Sequence, residues 1–299
     1  MRQRTNAPDE RSDCGRRSDS PSVGVKGNRL RCAGRAMSDQ PTYLDEILAA
    51  KRSELSLGRS ENASLRQIEA ELAGAPEPLD LLAALSAGPK PRAIAEFKRR
   101  SPSEGLLREN ADPRHIATLY VDAGAAAISV LTDRHFDGSF EDLRAVRSAV
   151  SVPILCKDFI LSRQQIVQAR REGADAILLI VAALEPPHLR DLLNFAHDIG
   201  LQVLAEAHGD HEVERAMAAG AKIIGLNSRD LQTFEVDLDR VIRHRPDVPK
   251  GFLYVGESGI ATRQDVSRLR AAGVDAVLVG SVLMKAEDPG AKLAELFSV

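Results

Sequence analysis

Four stretches of the chain repeat one phrase: DAGAAAISVLT (122–132), REGADAILLIV (171–181), AAGAKIIGLNS (218–228) and AAGVDAVLVGS (271–281). In each, a glycine suited to ending a helix in the left-handed conformation is followed at once by an apolar run rich in β-branched residues. Gly124, Gly173, Gly220 and Gly273 recur at intervals of roughly fifty residues, about twice the length of one βα unit. If these runs are alternate strands, other strands must lie between them. AIAEF (93–97), VPILCKD (152–158), LQVLAEA (201–207) and FLYVGES (252–258) fill those gaps.

Helical periods separate the strands, at 113–122, 139–149, 162–172, 186–199, 210–219, 237–244 and 262–272, with a last one near 289–297. Proline stands early in three of them, in DPRHI, EPPHL and DPGAKL, where its missing N–H costs nothing. Fully apolar strands alternating with helices imply a parallel sheet covered by helices. Eight such units predict an α/β fold of the closed (β/α)8 TIM-barrel type. An open doubly wound sheet is disfavoured, since no G-x-G-x-x-G turn follows the first strand. Ahead of the barrel, residues 42–87 predict a helical extension covering one end. YLDEILAAKRSEL carries Leu44, Ile47, Leu48 and Lys51 at helical spacing, a weaker helix follows at 64–73, and the apolar run LDLLAALSAG leads into the first strand.

Residues 1–36 differ in kind. They are rich in Arg, Ser, Gly and Asp, lack aromatic residues and show no apolar period, so they are not expected to fold alone. Asp9, Glu10, Asp13 and Asp19 fit a transit peptide poorly, and no apolar core marks a secretory signal. A helical period begins directly after Met37. The expectation is a disordered extension over 1–38, with Met37 as the initiator or 1–36 as a dispensable tail, and one barrel domain over 39–299.

A net charge of −3 gives no reason to expect nucleic acid or an anionic membrane as partner, and no apolar stretch is long enough to span a bilayer. Cys14, Cys32 and Cys156 form neither a C-x-x-C motif nor a regular framework, which points to the cytoplasm and away from disulfides or zinc. Cys156 reads as a small buried hydrophobe. The expected partner is a small molecule, and the expected assembly a monomer or weak homo-oligomer.

In a barrel of this type the active site lies at the carboxyl ends of the strands. Polar residues gather there: Glu96 and Lys98 on strand one, Lys157 on three, Glu206 on five, Asn227 on six, Glu257 and Ser258 on seven, Gly280 and Ser281 on eight. Glu96 and Lys98 are two residues apart, so alternation sends both to one face, opposite Phe97. Opposite charges there are costly to bury without a partner or a task. Two lysines and two carboxylates in one mouth shift each other's pKa values and can divide acid and base roles. GESGI (256–260) and VGSVLM (279–284) place small residues after strands seven and eight, where backbone N–H groups can approach an anion. A phosphorylated substrate is expected. His208 and His135 read as loop surface or as supports for other side chains, and no metal-binding spacing appears.

These segments resemble the indole-3-glycerol-phosphate synthase family of tryptophan biosynthesis, from about Tyr43 to the C-terminus. The resemblance is carried by AEFKRRSPSEG, AAAISVLTD, PILCKDFI, GADAILLIV, VLAEAH, IGLNSRDLQTFEVDL, GESGI and VLVGSVLM, in that order. It implies a barrel with an N-terminal helical extension. It also implies a lyase that closes the indole ring of 1-(2-carboxyphenylamino)-1-deoxyribulose 5-phosphate, releasing CO2 and water without cofactor or metal. By the same resemblance Lys157 is the general acid, and Lys98 holds the substrate carboxylate or assists dehydration. Glu206 stabilises developing ammonium character and assists proton transfer. Glu96 works with Lys98 in hydroxyl loss and rearomatisation, and Asn227 orients Glu96 and the substrate hydroxyls. Which lysine serves which step is left open.

For binding, the resemblance implies that Ser101, Pro102, Ser258, Gly259, Gly280 and Ser281 hold the phosphate. Phe136, Phe159, Leu178, Arg229 and Leu231 line the anthranilate side. The stretch TDRHFDGS is one residue shorter than the usual family form and has one aromatic where two are common, so the loop around Phe136 is expected to sit differently. Three rivals stand beside this reading: a Schiff-base enzyme using Lys157 or Lys98, a phosphoribosylanthranilate isomerase, and a non-catalytic phosphate-ester sensor. The isomerase is expected to use a Cys and Asp pair, and no cysteine follows strand one.

Overall fold

The structure is a computed structural model that describes residues 42–56, 68, 70–230 and 233–298. The expectations for residues 1–38, including Met37 as initiator, fall outside these residues, as does half of the weaker helix placed at 64–73. Eight parallel strands close on themselves: β1 Arg92–Phe97, β2 Ala127–Leu131, β3 Ile154–Lys157, β4 Ala176–Ile180, β5 Gln202–Ala207, β6 Ile223–Asn227, β7 Leu253–Glu257 and β8 Ala276–Val279. Each pairs with its neighbours in sequence, and β1 closes the ring, with Ile94 in register with Ala127 of β2 and Leu278 of β8.

Two helices, α1 Tyr43–Ser56 and α2 Leu81–Ser86, precede the ring. In order, α3 Pro113–Asp122, α4 Phe140–Arg147, α5 Arg163–Arg171, α6 Pro186–Asp198, α7 Asp210–Ala219, α8 Leu238–His244 and α9 Arg263–Ala271 follow the first seven strands. The short α10 Ser281–Lys285 and then α11 Pro289–Phe297 follow β8. Helix starts are set by side chains that satisfy free N–H groups: Ser162 and Thr262 form capping boxes with Gln165 and Asp265. At the helix ends the four repeated glycines hold φ between 78° and 106°, the left-handed turn foreseen from their spacing.

Strand alternation sorts the side chains into two cores. Ala93, Ala95 and Phe97 face the helices, whereas Ile94 faces the barrel interior. Inside the ring Ile94 meets Leu155, Leu178, Leu204, Ile223, Leu253, Val255 and Leu278, layered as such barrels require. The alternation continues to the strand ends, and this decides the site: Glu96, Lys157, Glu206 and Glu257 each lie two residues beyond an inward apolar residue.

The two extra helices do not cover the same end, contrary to the expectation. Leu81 and Leu85 of α2 are fully buried and belong to the interior core. Leu79 N–H donates to Asp175 and Leu82 N–H to Gln202, residues at the amino ends of β4 and β5, so α2 plugs the bottom of the barrel. α1 lies at the opposite end, over the mouth. An amphipathic pattern demands burial of one face but does not say against which end. Two similar staples brace the bottom: Arg147 pairs with Asp175, which also accepts from Ile154 N–H, and Arg245 pairs with Asp275, which also accepts from Tyr254 N–H.

Candidate active site

A cavity of about 470 Å³ opens at the carboxyl ends of the strands. Its walls include Glu96, Lys98, Lys157 and Glu206 together with Ser101, Pro102, Phe136, Phe159, Leu178, Arg229, Ser258, Gly259, Gly280 and Ser281. Residues from all eight strands or the loops that follow them thus converge on one space. Leu231 lies outside the described residues. Asn227 does not face the cavity directly.

The charges form two groups. Lys98 Nζ is 2.5 Å from Glu96 Oε2, and Glu96 is buried. Lys157 Nζ donates to Glu206 Oε2 at 3.3 Å and lies 3.9 Å from Glu257 Oε2. Burial alone would favour a neutral Lys157 amine, but Glu206, Glu257 and Glu96 outweigh it and raise its pKa, so the group is an ammonium. Glu206 is likewise penalised by burial, yet Lys157, His208 and Asn227 keep its carboxyl below the ordinary range. The Asn227 amide donates to Glu206 Oε1 at 3.1 Å, and its carbonyl accepts from Arg229 N–H. Here the structure corrects the sequence: Asn227 was expected to orient Glu96, but its amide holds Glu206, because β6 lies next to β5 and away from β1.

Glu257 is the candidate that the sequence leaves without a role, because a glutamate ending a strand is common. In the structure it is buried, and neither of its carboxyl oxygens has a hydrogen-bond partner among the described residues. Burial, and then the neighbouring Glu206 charge, push it up to about 8. Its place was readable from alternation, because Leu253 and Val255 already point inward.

Two glycines make room for these carboxylates. A Cβ on Gly280 would stand 2.2 Å from Glu96 Oε2, and one on Gly225 would stand 2.0 Å from Glu257 Oε1. Ser258, at φ 65°, occupies the left-handed region that side chains rarely adopt, at the turn between β7 and α9. Such strain concentrates where a backbone must present its N–H groups in one direction. Ser101 is buried beside Ser103, whose hydroxyl accepts from Arg229.

The opposite wall is aromatic. Phe136 stacks on Phe159 with ring centroids 6.2 Å apart and planes 23° apart. Phe136 ends a 3-10 turn, Arg134–Phe136, whose start is capped by Asp133. Tyr43, Leu44 and Ile47 of α1 also line the cavity, as do Phe234 and Val236 from the loop after β6, all unforeseen as lining residues. His208 follows β5, with Nε2 3.5 Å from Glu206 Oε1 and Nδ1 3.2 Å from Glu212 Oε2. His135 bonds Asp133, and Cys156 is buried with its thiol pushed up to about 12 by desolvation.

No helix among the described residues is long and apolar enough to cross a membrane. Solved barrels share the architecture at low identity. 3-Hexulose-6-phosphate synthase from Salmonella typhimurium aligns over 69% of this chain and 96% of its own, with TM-score 0.57 and 17% identity. A chain of the Pyrococcus furiosus tryptophan synthase complex aligns over 70% and 98%, with TM-score 0.52 and 18% identity. These likenesses speak for the fold alone. Sequence relatives are far nearer. A Mycobacterium avium indole-3-glycerol phosphate synthase is 48% identical over 256 residues, 85% of this chain and 93% of the relative. One from Parafrankia is 46% identical over 254 residues, 85% and 94%. The family model described as indole-3-glycerol phosphate synthase matches residues 44–296, and the chain belongs to that family.

Proposed function

We propose that this chain closes the indole ring of 1-(2-carboxyphenylamino)-1-deoxyribulose 5-phosphate in tryptophan biosynthesis, releasing CO2 and water. One observation beyond family membership supports it most: the Lys157 ammonium on Glu206, with Glu257 beside it, and a second Glu–Lys pair face one cavity whose far side carries two Gly–Ser turns.

The substrate phosphate lies against Ser101, Ser258, Gly259, Gly280 and Ser281, where small residues and backbone N–H groups meet an anion. The carboxyphenyl ring lies against Phe136, Phe159 and Leu178, with Arg229 available to its carboxylate. The ring carbon bearing the carboxylate attacks the ribulose carbonyl carbon. As that bond forms, the carbonyl π pair moves to oxygen, which takes a proton from Lys157. Loss of CO2 returns its bonding pair to the ring and leaves a hydroxyl on the new five-membered ring. The hydroxyl leaves as water on protonation by Lys98, and removal of the adjacent C–H proton by Glu96 gives the indole. Glu206, held by Asn227, balances the positive charge that develops on the ring nitrogen.

A Schiff-base reading needs a neutral lysine to attack a carbonyl. The carboxylates around Lys157 hold the charged form instead, which favours proton donation. Incubation with the carboxyphenylamino ribulose phosphate is expected to produce indole fluorescence, and borohydride added during turnover is expected to trap no adduct. No fluorescence, or a borohydride-stable adduct on Lys157 or Lys98, would overturn the assignment. The substrate is a phosphorylated small molecule, the setting cytosolic and the assembly a monomer or weak homo-oligomer, the last two checked by cell fractionation and sedimentation.

A further inference from the structure

Lys51 stands on α1, outside the eight-stranded ring, yet its ammonium is buried between carboxylates from two different strand ends. Nζ is 2.8 Å from Asp133 Oδ2 and 2.7 Å from Asp158 Oδ1. The residue is 7% exposed, and it does not line the cavity. Burial disfavours its charge, but Asp158 and Asp133 more than compensate and raise its pKa. A buried ion cluster is a poor device for stability alone, because desolvation consumes most of the Coulombic gain.

The two aspartates carry on into the site. Asp133 Oδ1 accepts from the N–H of His135 and bonds its ring, while the Asp133 carbonyl accepts from the N–H groups of Phe136 and Gly138. Asp158 accepts from Phe159 N–H at 2.7 Å and from the Thr132 hydroxyl at 2.8 Å. One aspartate therefore shapes the turn that presents Phe136, and the other the segment that follows Lys157 and presents Phe159. These are the two rings that stack along the cavity wall.

We propose that Lys51 is a positioning residue: by tying the Asp133 turn and the Asp158 segment to each other and to α1, it fixes Phe136 against Phe159 and so holds the aromatic wall on which the substrate ring lies. The proposal rests on the cavity taking the carboxyphenylamino substrate.

Lys51→Met keeps most of the stem and removes the bridge. Amide hydrogen exchange in 132–138 and 157–161 is expected to speed up about tenfold or more, while 256–261 across the mouth is unchanged, as for a local opening. Unchanged exchange in both segments, or a uniform rise throughout the barrel, overturns the clamp. In steady-state kinetics Lys51→Met is expected to raise KM about tenfold with a smaller change in kcat. Phe136→Ala is expected to do the same, and the double variant to be no worse than the poorer single, the mark of residues acting through one contact. Multiplying effects, or an unchanged KM, overturn the positioning role.

Lys51→Arg, which keeps a cation between the aspartates, is expected to recover KM to within about threefold of wild type. A KM as high as that of Lys51→Met overturns the proposal. Should Lys51→Met fail to fold, Asp158→Asn carries the same exchange and kinetic tests with the same deciding outcomes. A wild-type chain that makes no indole overturns the assigned activity, and the exchange result then still decides the clamp.

Discussion

Lys157 and Glu206 face each other across the top of the barrel, 3.3 Å apart, on strands separated by β4. Neither is paired for stability alone. Glu257 adds a third group to the same buried space, so the cluster carries more acid than it can neutralise. Lys157→Ala is expected to lower kcat at least ~10²-fold, the size of losing a positioned general acid, with an unchanged far-ultraviolet circular dichroism spectrum. Normal turnover by this variant would remove Lys157 from the mechanism.

The close approach of Gly280 to Glu96 makes a second site for a minimal change. Gly280→Ala puts a methyl where a carboxylate oxygen now lies, and Glu96 must swing away from Lys98. The expected result is a fall in kcat of about tenfold or more, with Tm lowered by only a few degrees. A crystal structure of the variant with Glu96 still on Lys98 and full activity would contradict the account of this glycine.

Ser281 sits at the start of α10, facing the cavity. Ser281→Asp brings a fixed negative charge to the proposed phosphate pocket and is expected to raise KM at least about tenfold through like-charge repulsion. The effect should shrink in high salt. An unchanged KM would place the phosphate elsewhere.

Glu257 also links the site to stability. Its folded-state pKa is raised above the usual glutamate value, so between the two values the folded chain holds a proton that the unfolded chain has lost. Stability therefore falls as pH rises from about 4.5 towards about 8. Glu257→Gln removes this liability. At pH 8 its Tm is expected to exceed that of the wild type by about 2–4 °C, the shift that 1 kcal/mol gives in a domain of this size. The gain should vanish near pH 4.5. A Tm difference that is constant across this range would mean that Glu257 is ionised in the fold.

The barrel itself was legible because two periods agree throughout: helices that end on Gly124, Gly173, Gly220 and Gly273, and apolar strands that begin directly after them. Alternation put Glu96 and Lys98 on one face, and strand-end position brought Lys157 and Glu206 to the same mouth. What the residues could not reveal were choices made between elements. Asn227 meets Glu206 because of strand neighbourhood, which no local pattern encodes. Lys51 continued the apolar stripe of its helix at the right spacing, and its two carboxylate partners lie about 80 and 107 residues downstream on separate loops. The placement of α1 over the mouth and α2 under the floor depended on complementary shapes at the two ends.

The layer that holds Glu96, Lys157, Glu206 and Glu257 is simply the next storey above Ile94, Leu155, Leu204 and Val255. Reactive groups and inward packing groups are therefore successive steps of the same staircase. Inserting one residue ahead of Glu206 within β5 would turn its carboxylate towards the helices and bring a helix-facing residue into the mouth. Such a lesion would strip the enzyme of its chemistry and its cohesion together, so natural variation in this chain has far more freedom to lengthen the loops than to slide the staves.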